Sequence, residues 1–89
     1  ASKAAIVGLT KALAREVAHL GVRVNAVAPG PTDTRILTDE ERSRAYAERL
    51  PMRRLGTPEE IAATVAFLCS DEASWYAGQV LSPNGGAVM

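Results

Sequence analysis

The chain has 89 residues, 47% hydrophobic and 22% charged, and its ten basic residues balance its ten acidic ones. This is ordinary globular composition. The charge balance has no basic excess that would favour nucleic acid. A membrane is not expected either, because no apolar run approaches the ~18 residues of a spanning helix and no signal peptide is recognisable. Cys69 is the only cysteine, which excludes an internal disulfide and favours the cytoplasm.

The first predicted element is a helix over residues 2–20, which Gly21 ends in the position of a C-terminal cap. Its large apolar residues recur at steps of three and four, and we expect that stripe to pack on a sheet. Its members are Ile6, Leu9, Leu13 and Val17. A second strip, made of small residues, would let another helix approach closely and so favours a homodimer or homotetramer. That strip is Ala5, Gly8 and Ala12.

Residues 22–28 form an almost continuous apolar run, which is typical of a strand covered on both faces. Pro29 and Gly30 end it, and a polar loop follows. Ligands of open α/β sheets bind outside the carboxyl ends of parallel strands, so this loop is a candidate ligand-contacting edge. Within the strand, we expect the Asn25 amide to tie neighbouring backbone together rather than to touch a substrate.

Two capping boxes predict the next helices. The first begins at Thr38 and opens a charged, loosely held surface helix over 39–49, which Pro51 stops. The second covers 57–60, with Pro58 in the favoured first helical position. Its helix has an apolar stripe and ends near Ser70. The stripe consists of Ile61, Val65 and Leu68, with Phe67 beside it.

A turn over 70–74, a short strand over 79–82 and a closing loop over 83–86 complete the chain. Two strands separated by about 50 mostly helical residues favour a parallel pair joined by a right-handed crossover, which is an α/β arrangement.

Four motifs, in this order, resemble the C-terminal part of the classical short-chain dehydrogenase/reductase family. They are Ala1-Ser2-Lys3; Asn25, Val27, Pro29, Gly30 and Thr34; Arg54 to Ala62 (RLGTPEEIA); and Gly78-Gln79 with Gly85-Gly86, where Asn84 replaces the family's Asp. The resemblance implies that residues 1–89 are the C-terminal portion of one NAD(P)-binding domain. Its fold would be a doubly wound, Rossmann-like parallel sheet, of which this chain supplies two strands and three to four helices.

The resemblance also gives Lys3 a role, although by itself a lysine in a first helical turn is an ordinary solvated side chain. In the family this lysine binds the nicotinamide ribose and lowers the pKa of a catalytic tyrosine one helical turn earlier. That tyrosine would precede Ala1, and the glycine-rich turn for the cofactor pyrophosphate is also absent from these 89 residues. We therefore expect the chain to be part of a larger enzyme and to be inactive alone.

The same resemblance makes Pro29, Gly30, Thr32 and Thr34 cofactor-binding residues that lie along the nicotinamide of NAD or NADP. Position 32 is usually Val or Ile in the family, but the contact expected there is through the backbone, which Thr32 also supplies. Without the resemblance, the segment is a turn that merely leaves a strand. No metal site is predicted, because His19 has no candidate ligand near it in sequence.

Three functions remain open at this point. The first is hydride transfer between NAD(P) and a small alcohol or carbonyl substrate. The second is reduction of a 3-oxoacyl thioester, whose phosphate groups the arginines at 42, 44, 49, 53 and 54 would bind, although we also expect Arg54 to pair with a helix carboxylate. The third is a non-catalytic, truncated module that only associates with itself or a partner.

Overall fold

A computed structural model describes residues 2–33 and 40–88 of the chain. Within these ranges it contains three α-helices, α1 (Ser2–Val17), α2 (Glu40–Glu48) and α3 (Pro58–Leu68), and two strands, β1 (Ala26–Val27) and β2 (Val80–Leu81). Short 3-10 helices cover Ala18–Leu20 and Asp71–Ala73. The predicted α/β class is confirmed.

The two strands form a parallel pair, as predicted, with Ala26 opposite Val80 and Val27 opposite Leu81. Backbone hydrogen bonding extends beyond these residues: the Gly78 N–H donates to Val24 O at 2.8 Å, and the Gly30 N–H donates to Pro83 O at 3.0 Å. The strand begins later than the predicted 22–28 because its first residues are held elsewhere: the Val22 N–H donates to Val17 O at the end of α1, and the Arg23 guanidinium turns towards α3.

The face that α1 packs against the rest of the chain differs from the prediction. Ile6, Leu9 and Leu13 are 40–60% exposed, whereas Thr10 and Ala14 are buried at 6% and 5%. The cause is the close approach of the segment before β2, where Gly78 comes near enough that a Cβ there would lie 3.4 Å from that of Ala14. A leucine would not fit at such a contact, so small residues face inwards.

The small-residue strip of α1 is uncovered by the part of the chain that the structure describes. Ala5, Gly8 and Ala12 are exposed, and a Cβ added at Gly8 would meet nothing within 4 Å. Gly21 ends the helical segment as predicted, with a left-handed φ of 76° and its N–H on Ala18 O.

The second predicted capping box is confirmed in detail. The Thr57 hydroxyl accepts from the Glu60 N–H at 3.1 Å, and the Glu60 carboxylate accepts from the Thr57 N–H at 3.0 Å. In the helix that follows, Ile61, Phe67 and Leu68 are half-buried, but the inclusion of Val65 in the stripe was wrong because it is 45% exposed.

The first capping box falls at Thr38, outside the described residues. The charged helix after it is present as α2, which buries none of its own residues. Leu50, just beyond it, is buried, whereas Tyr46 is half exposed. In the described ranges, none of the helices has the length and apolar character needed to cross a membrane.

Two polar side chains secure the amino end of the strand pair. The Arg23 guanidinium donates to Leu68 O at 3.0 Å and to Ala73 O at 2.7 Å, which satisfies a carbonyl at the end of α3 and places a positive charge at the negative end of its dipole. The Asn25 amide donates to Tyr76 O at 3.1 Å and accepts from the Gln79 N–H at 3.0 Å. The predicted bridging role of Asn25 is confirmed.

Candidate active site

The carboxyl ends of β1 and β2 meet at one edge of the sheet because the strands are parallel. The Ala28 N–H donates to Leu81 O at 2.8 Å, and two residues later the Gly30 N–H donates to Pro83 O. The loop predicted to bind the cofactor therefore leaves the sheet side by side with the turn that follows β2. This is the position where open α/β sheets bind their ligands.

Gly30 is in contact with the main chain of that neighbouring turn. A Cβ built on Gly30 would lie 2.5 Å from the Asn84 Cβ and 2.7 Å from the Asn84 Cα. No side chain fits at these distances, so position 30 requires glycine for close approach of two backbones rather than for an unusual dihedral angle.

The loop after Gly30 is held on its other side by Gly56, which immediately precedes the cap of α3. The Gly56 N–H donates to Pro31 O at 2.9 Å, and the Asp33 N–H donates to Gly56 O at 2.8 Å. The Thr32 hydroxyl donates to Gly30 O at 2.8 Å, which closes the loop on itself. Two hydrogen bonds thus hold Pro31 and Asp33 on Gly56, and a third ties Thr32 to Gly30.

One donor of this loop is left unused. The Thr32 N–H has no acceptor among the described residues, although the N–H groups on either side of it in the loop, those of Gly30 and Asp33, are both bonded. A backbone N–H that is held in place and has no acceptor within the protein is a suitable partner for a ligand carbonyl oxygen. Thr34, the other predicted threonine of this loop, lies outside the described residues.

A cleft of about 250 Å³ opens beside the loop. Its walls are apolar on one side and carry an ion pair on the other; the residues that line it are Pro31, Met52, Arg54, Gly56, Glu60, Ile61, Pro83, Asn84 and Gly85. Of the residues predicted to bind the cofactor, Lys3, Pro29, Gly30 and Thr32 do not line it, whereas Arg54 of the predicted phosphate-binding set does. The cleft is too small for a whole dinucleotide but is large enough to take part of a substrate.

The ion pair in the cleft wall joins Arg54 to Glu60, as predicted. Arg54 donates from both terminal nitrogens to the two carboxylate oxygens, at 2.6 and 2.7 Å. The pKa of Glu60 falls from 4.5 to about 2, first because of the Arg54 hydrogen bond and then because of the Thr57 backbone N–H, and the pKa of Arg54 is raised by the same pair. Since both side chains are about half exposed, the pair fixes local geometry more than it stabilises the fold.

Lys3 lies in the first turn of α1 and is exposed. Its ammonium group has no hydrogen-bond or ion-pair partner within the described residues, and Lys3 does not line the cleft. Positions 3, 10, 14 and 17 are separated by seven, four and three residues, so Lys3 continues the face of α1 that carries the buried Thr10 and Ala14. Among the described residues, no group of three or more His, Cys, Asp or Glu is placed to hold a metal ion.

Sequence reasoning missed the two residues that hold the loop, Gly56 and Asn84, as parts of the site. Both stand in motifs of the family resemblance, but a glycine offers no side chain to bind a ligand, and Asn84 stands where the family has Asp. Arg23 carried no local signal, because its partners at Leu68 and Ala73 are remote in sequence.

Residues 1–88 match a family model described as enoyl-(acyl carrier protein) reductase. The chain belongs to the short-chain dehydrogenase/reductase family. It is 52% identical to 3-oxoacyl-[acyl-carrier-protein] reductase FabG of Vibrio cholerae over 92 aligned positions that include all of this chain. It is 48% identical to the uncharacterised oxidoreductase YjdA of Bacillus subtilis over 99% of the chain, and 46% identical to the glucose and ribitol dehydrogenase of Daucus carota over all of it.

The chain spans about a third of the length of these curated relatives: 37%, 35% and 32%, respectively. Two of these relatives are named for different substrates, a 3-oxoacyl-[acyl-carrier-protein] in one and glucose and ribitol in the other, so membership of the family does not identify a substrate.

Proposed function

We propose that the full-length protein carrying this chain is an NAD(P)-dependent oxidoreductase that moves a hydride between the nicotinamide and an alcohol or carbonyl carbon. In this proposal Lys3 is catalytic and cofactor-binding, and Pro29, Gly30, Thr32 and Thr34 are cofactor-binding. The observation that carries it is the free Thr32 N–H, which a rigid loop presents at the carboxyl edge of the parallel strands.

The loop fits a nicotinamide carboxamide. A carboxamide oxygen needs one donor, which the Thr32 N–H offers without any competing internal bond. The Thr32 hydroxyl is already used within the loop, so the side chain contributes rigidity while the backbone makes the contact. The bound cofactor supplies the hydride; the loop holds one face of its ring towards the substrate.

The position of Lys3 supports a role beside this loop. Gly78 packs against Ala14 of α1 and donates to Val24 O, so the middle of α1 lies beside the start of the strand ladder. After α1, Gly21 adopts a left-handed φ of 76°, which permits the chain to turn back along the helix. Moving from Ala14 back to Lys3 covers about 16 Å at the rise of an α-helix, and moving from Val24 forward to Pro29 covers about 16 Å at the rise of a strand. In this proposal the two equal rises, taken along a helix and a strand that run antiparallel, bring Lys3 to the level of the Pro29–Gly30 turn.

In that place the free ammonium group of Lys3 would donate to the ribose hydroxyls and, as a nearby positive charge, lower the pKa of a tyrosine that serves as proton donor. Whether the cofactor is NAD or NADP depends on residues that bind the adenosine ribose, and none of these is proposed within this chain.

The direct test is an assay of the purified full-length protein. We expect oxidation of NADH or NADPH that depends on a carbonyl substrate, or the reverse reaction with an alcohol. The panel follows the relatives: glucose, ribitol and a 3-oxoacyl thioester such as acetoacetyl-CoA. Failure of the protein to bind either nucleotide, with no turnover of any member of the panel, would overturn the proposed activity and favour the non-catalytic module.

A 3-oxoacyl thioester is the second candidate substrate, and one observation favours it: the Vibrio cholerae relative, at 52% identity, is named for that activity. The structure narrows its predicted phosphate-binding set, because Arg54 is committed to Glu60. Three other arginines of that set, Arg44, Arg49 and Arg53, are exposed and have no side-chain hydrogen bond or ion pair among the described residues. Charge reversal at Arg49 should raise KM for acetoacetyl-CoA and leave KM for a neutral ketone unchanged.

We also propose that the full-length protein is a cytoplasmic homodimer or homotetramer in which α1 contributes an interface. The exposed small-residue strip at Ala5, Gly8 and Ala12 lies beside exposed Leu9, which gives a second helix both room and apolar surface. Gly8→Leu should weaken assembly in sedimentation at low concentration, whereas Gly8→Ala should leave it intact. An unchanged oligomer in the leucine variant would exclude this face.

A further inference from the structure

We propose that Asn84 is a positioning residue for the cofactor loop: it holds Gly30 in place and thereby aims the Thr32 N–H. This inference rests on the proposed function, because it concerns the same loop. Asn84 would not itself touch the cofactor.

The first step is the contact between the two backbones. Gly30 lies so close to Asn84 that its missing Cβ would fall 2.5 Å from the Asn84 Cβ, and its N–H is bonded to Pro83 O. The main chain at 83–84 is thus the surface on which Gly30 rests. Any displacement of Asn84 moves that surface.

The second step is the rigidity of the turn that contains Asn84. Its side-chain oxygen accepts from the Gly86 N–H at 2.8 Å. Its side-chain nitrogen donates to Val88 O at 3.1 Å and to Ser82 Oγ at 3.2 Å. One amide therefore ties both sides of its own turn, which the backbone bond from the Ala87 N–H to Asn84 O completes.

The third step is a support on the far side of the turn. The Met52 N–H donates to Gly85 O at 3.2 Å, and a Cβ at Gly86 would lie 2.9 Å from that of Pro51. The turn is therefore packed between the segment after α2 and the loop after β1. The turn cannot move away from Gly30 without displacing Pro51, so it limits the movement of Gly30 on that side.

These contacts account for the one N–H of the loop that has no acceptor among the described residues. The Gly30 N–H is fixed on Pro83 and the Asp33 N–H on Gly56, and the Thr32 hydroxyl closes onto Gly30 O. Loss of the Asn84 bonds would loosen the first of these anchors, and the Thr32 N–H would then have to be ordered by the ligand at a cost in affinity.

The test compares two asparagines at opposite ends of the same strand pair in the full-length protein. Asn84→Ala removes three side-chain bonds at the carboxyl end, and Asn25→Ala removes two at the amino end. Fluorescence titration gives the dissociation constants of NADH and NADPH, measured well below each variant's melting temperature. We expect Asn84→Ala to weaken binding of the preferred nucleotide by about fivefold or more.

We expect Asn25→Ala to change that dissociation constant by less than about twofold, although it lowers the melting temperature. Asn84→Asp keeps the oxygen that accepts from the Gly86 N–H, so it should recover most of the affinity. Should Asn84→Ala fail to fold, Asn84→Ser replaces it under the same criterion.

Unchanged nucleotide affinity in Asn84→Ala, or equal weakening in both alanine variants, would overturn the inference about Asn84. The proposed function would still stand in that case, because the parent protein binds the nucleotide. Failure of the parent to bind either nucleotide would overturn the proposed function and this inference together.

Discussion

The two ends of the strand pair are both secured by an asparagine, but they are built for different purposes. At the amino end, the Asn25 amide and the Arg23 guanidinium bond only to backbone atoms of this chain. At the carboxyl end, Asn84 bonds its own turn and leaves the adjoining loop with an unused N–H at Thr32. The polar side chains at the amino end thus bond within the described chain, whereas the loop at the carboxyl end keeps one backbone donor that has no acceptor among the described residues.

The largest expected effect contrasts two exposed lysines of α1, Lys3 in its first turn and Lys11 near its middle. In the full-length protein, Lys3→Ala should lower kcat/KM by about 10²–10⁴-fold, the usual contribution of a group that acts in acid–base catalysis. Lys11→Ala is the matched control, because Lys11 lies beside Gly78 at the amino end. Steady-state kinetics with the preferred nucleotide make the comparison; equal activities of the two variants would show that Lys3 is only a solvated side chain.

The next contrast concerns two glycines. Gly30→Ala forces a Cβ against the Asn84 main chain, and such overpacking should cost about 2–3 kcal/mol in the free energy of unfolding. Gly78→Ala has ordinary room but a φ of 70°, so it should cost about 1 kcal/mol. Denaturant unfolding of both variants tests the order, and a larger loss for Gly78→Ala would contradict the contact at Gly30.

Arg23→Met tests whether the amino end is purely structural. Losing a charged donor to two backbone carbonyls should destabilise the fold by about 2 kcal/mol, because methionine retains the apolar stem but not the hydrogen bonds. The dissociation constant for the nucleotide should stay unchanged when measured on folded protein. A substantial loss of nucleotide affinity would mean that the two ends are not independent.

The smallest effect is a pH dependence at the cleft. The pKa of Glu60 is lowered to about 2 in the folded state, so its ion pair with Arg54 contributes stability that is present above the ordinary pKa of 4.5 and is lost as pH falls towards 2. Glu60→Gln should therefore be less stable than the parent at pH 7 and pH 5, and the difference should shrink below pH 4.5. A difference that stays constant from pH 7 to pH 3 would show that the pair adds nothing.

Local rules predicted a good part of the fold. The capping box at Thr57, the helix stop at Gly21 and the bridging role of Asn25 each depend on neighbouring positions or on one polar residue within a strand, and the structure confirms all three. The parallel pairing followed from two short strands with a long helical connection. Such features can be read from one sequence because the physical cause lies within a few residues.

The errors and omissions have a different origin. Leu9 and Leu13 were assigned to the packed face of α1 because they are large and apolar, but the close approach of Gly78 selects the small Ala14 instead. The contact between Gly30 and Asn84 joins positions more than 50 residues apart, and no sequence periodicity indicates it. The packed face of α1 and the contact at Gly30 are both set by tertiary contacts, so the sequence pattern of a single segment does not predict them.

The contact at Gly30 has a consequence for engineering the cofactor preference or substrate range of this loop. The obstructing atoms include the Cα of Asn84 as well as its side chain, so trimming residue 84 to glycine would not make room for a second side chain. A combinatorial library should therefore keep position 30 constant and vary Thr32 and Asp33. A genetic screen for suppressors of Gly30→Ala should recover no compensating change at position 84.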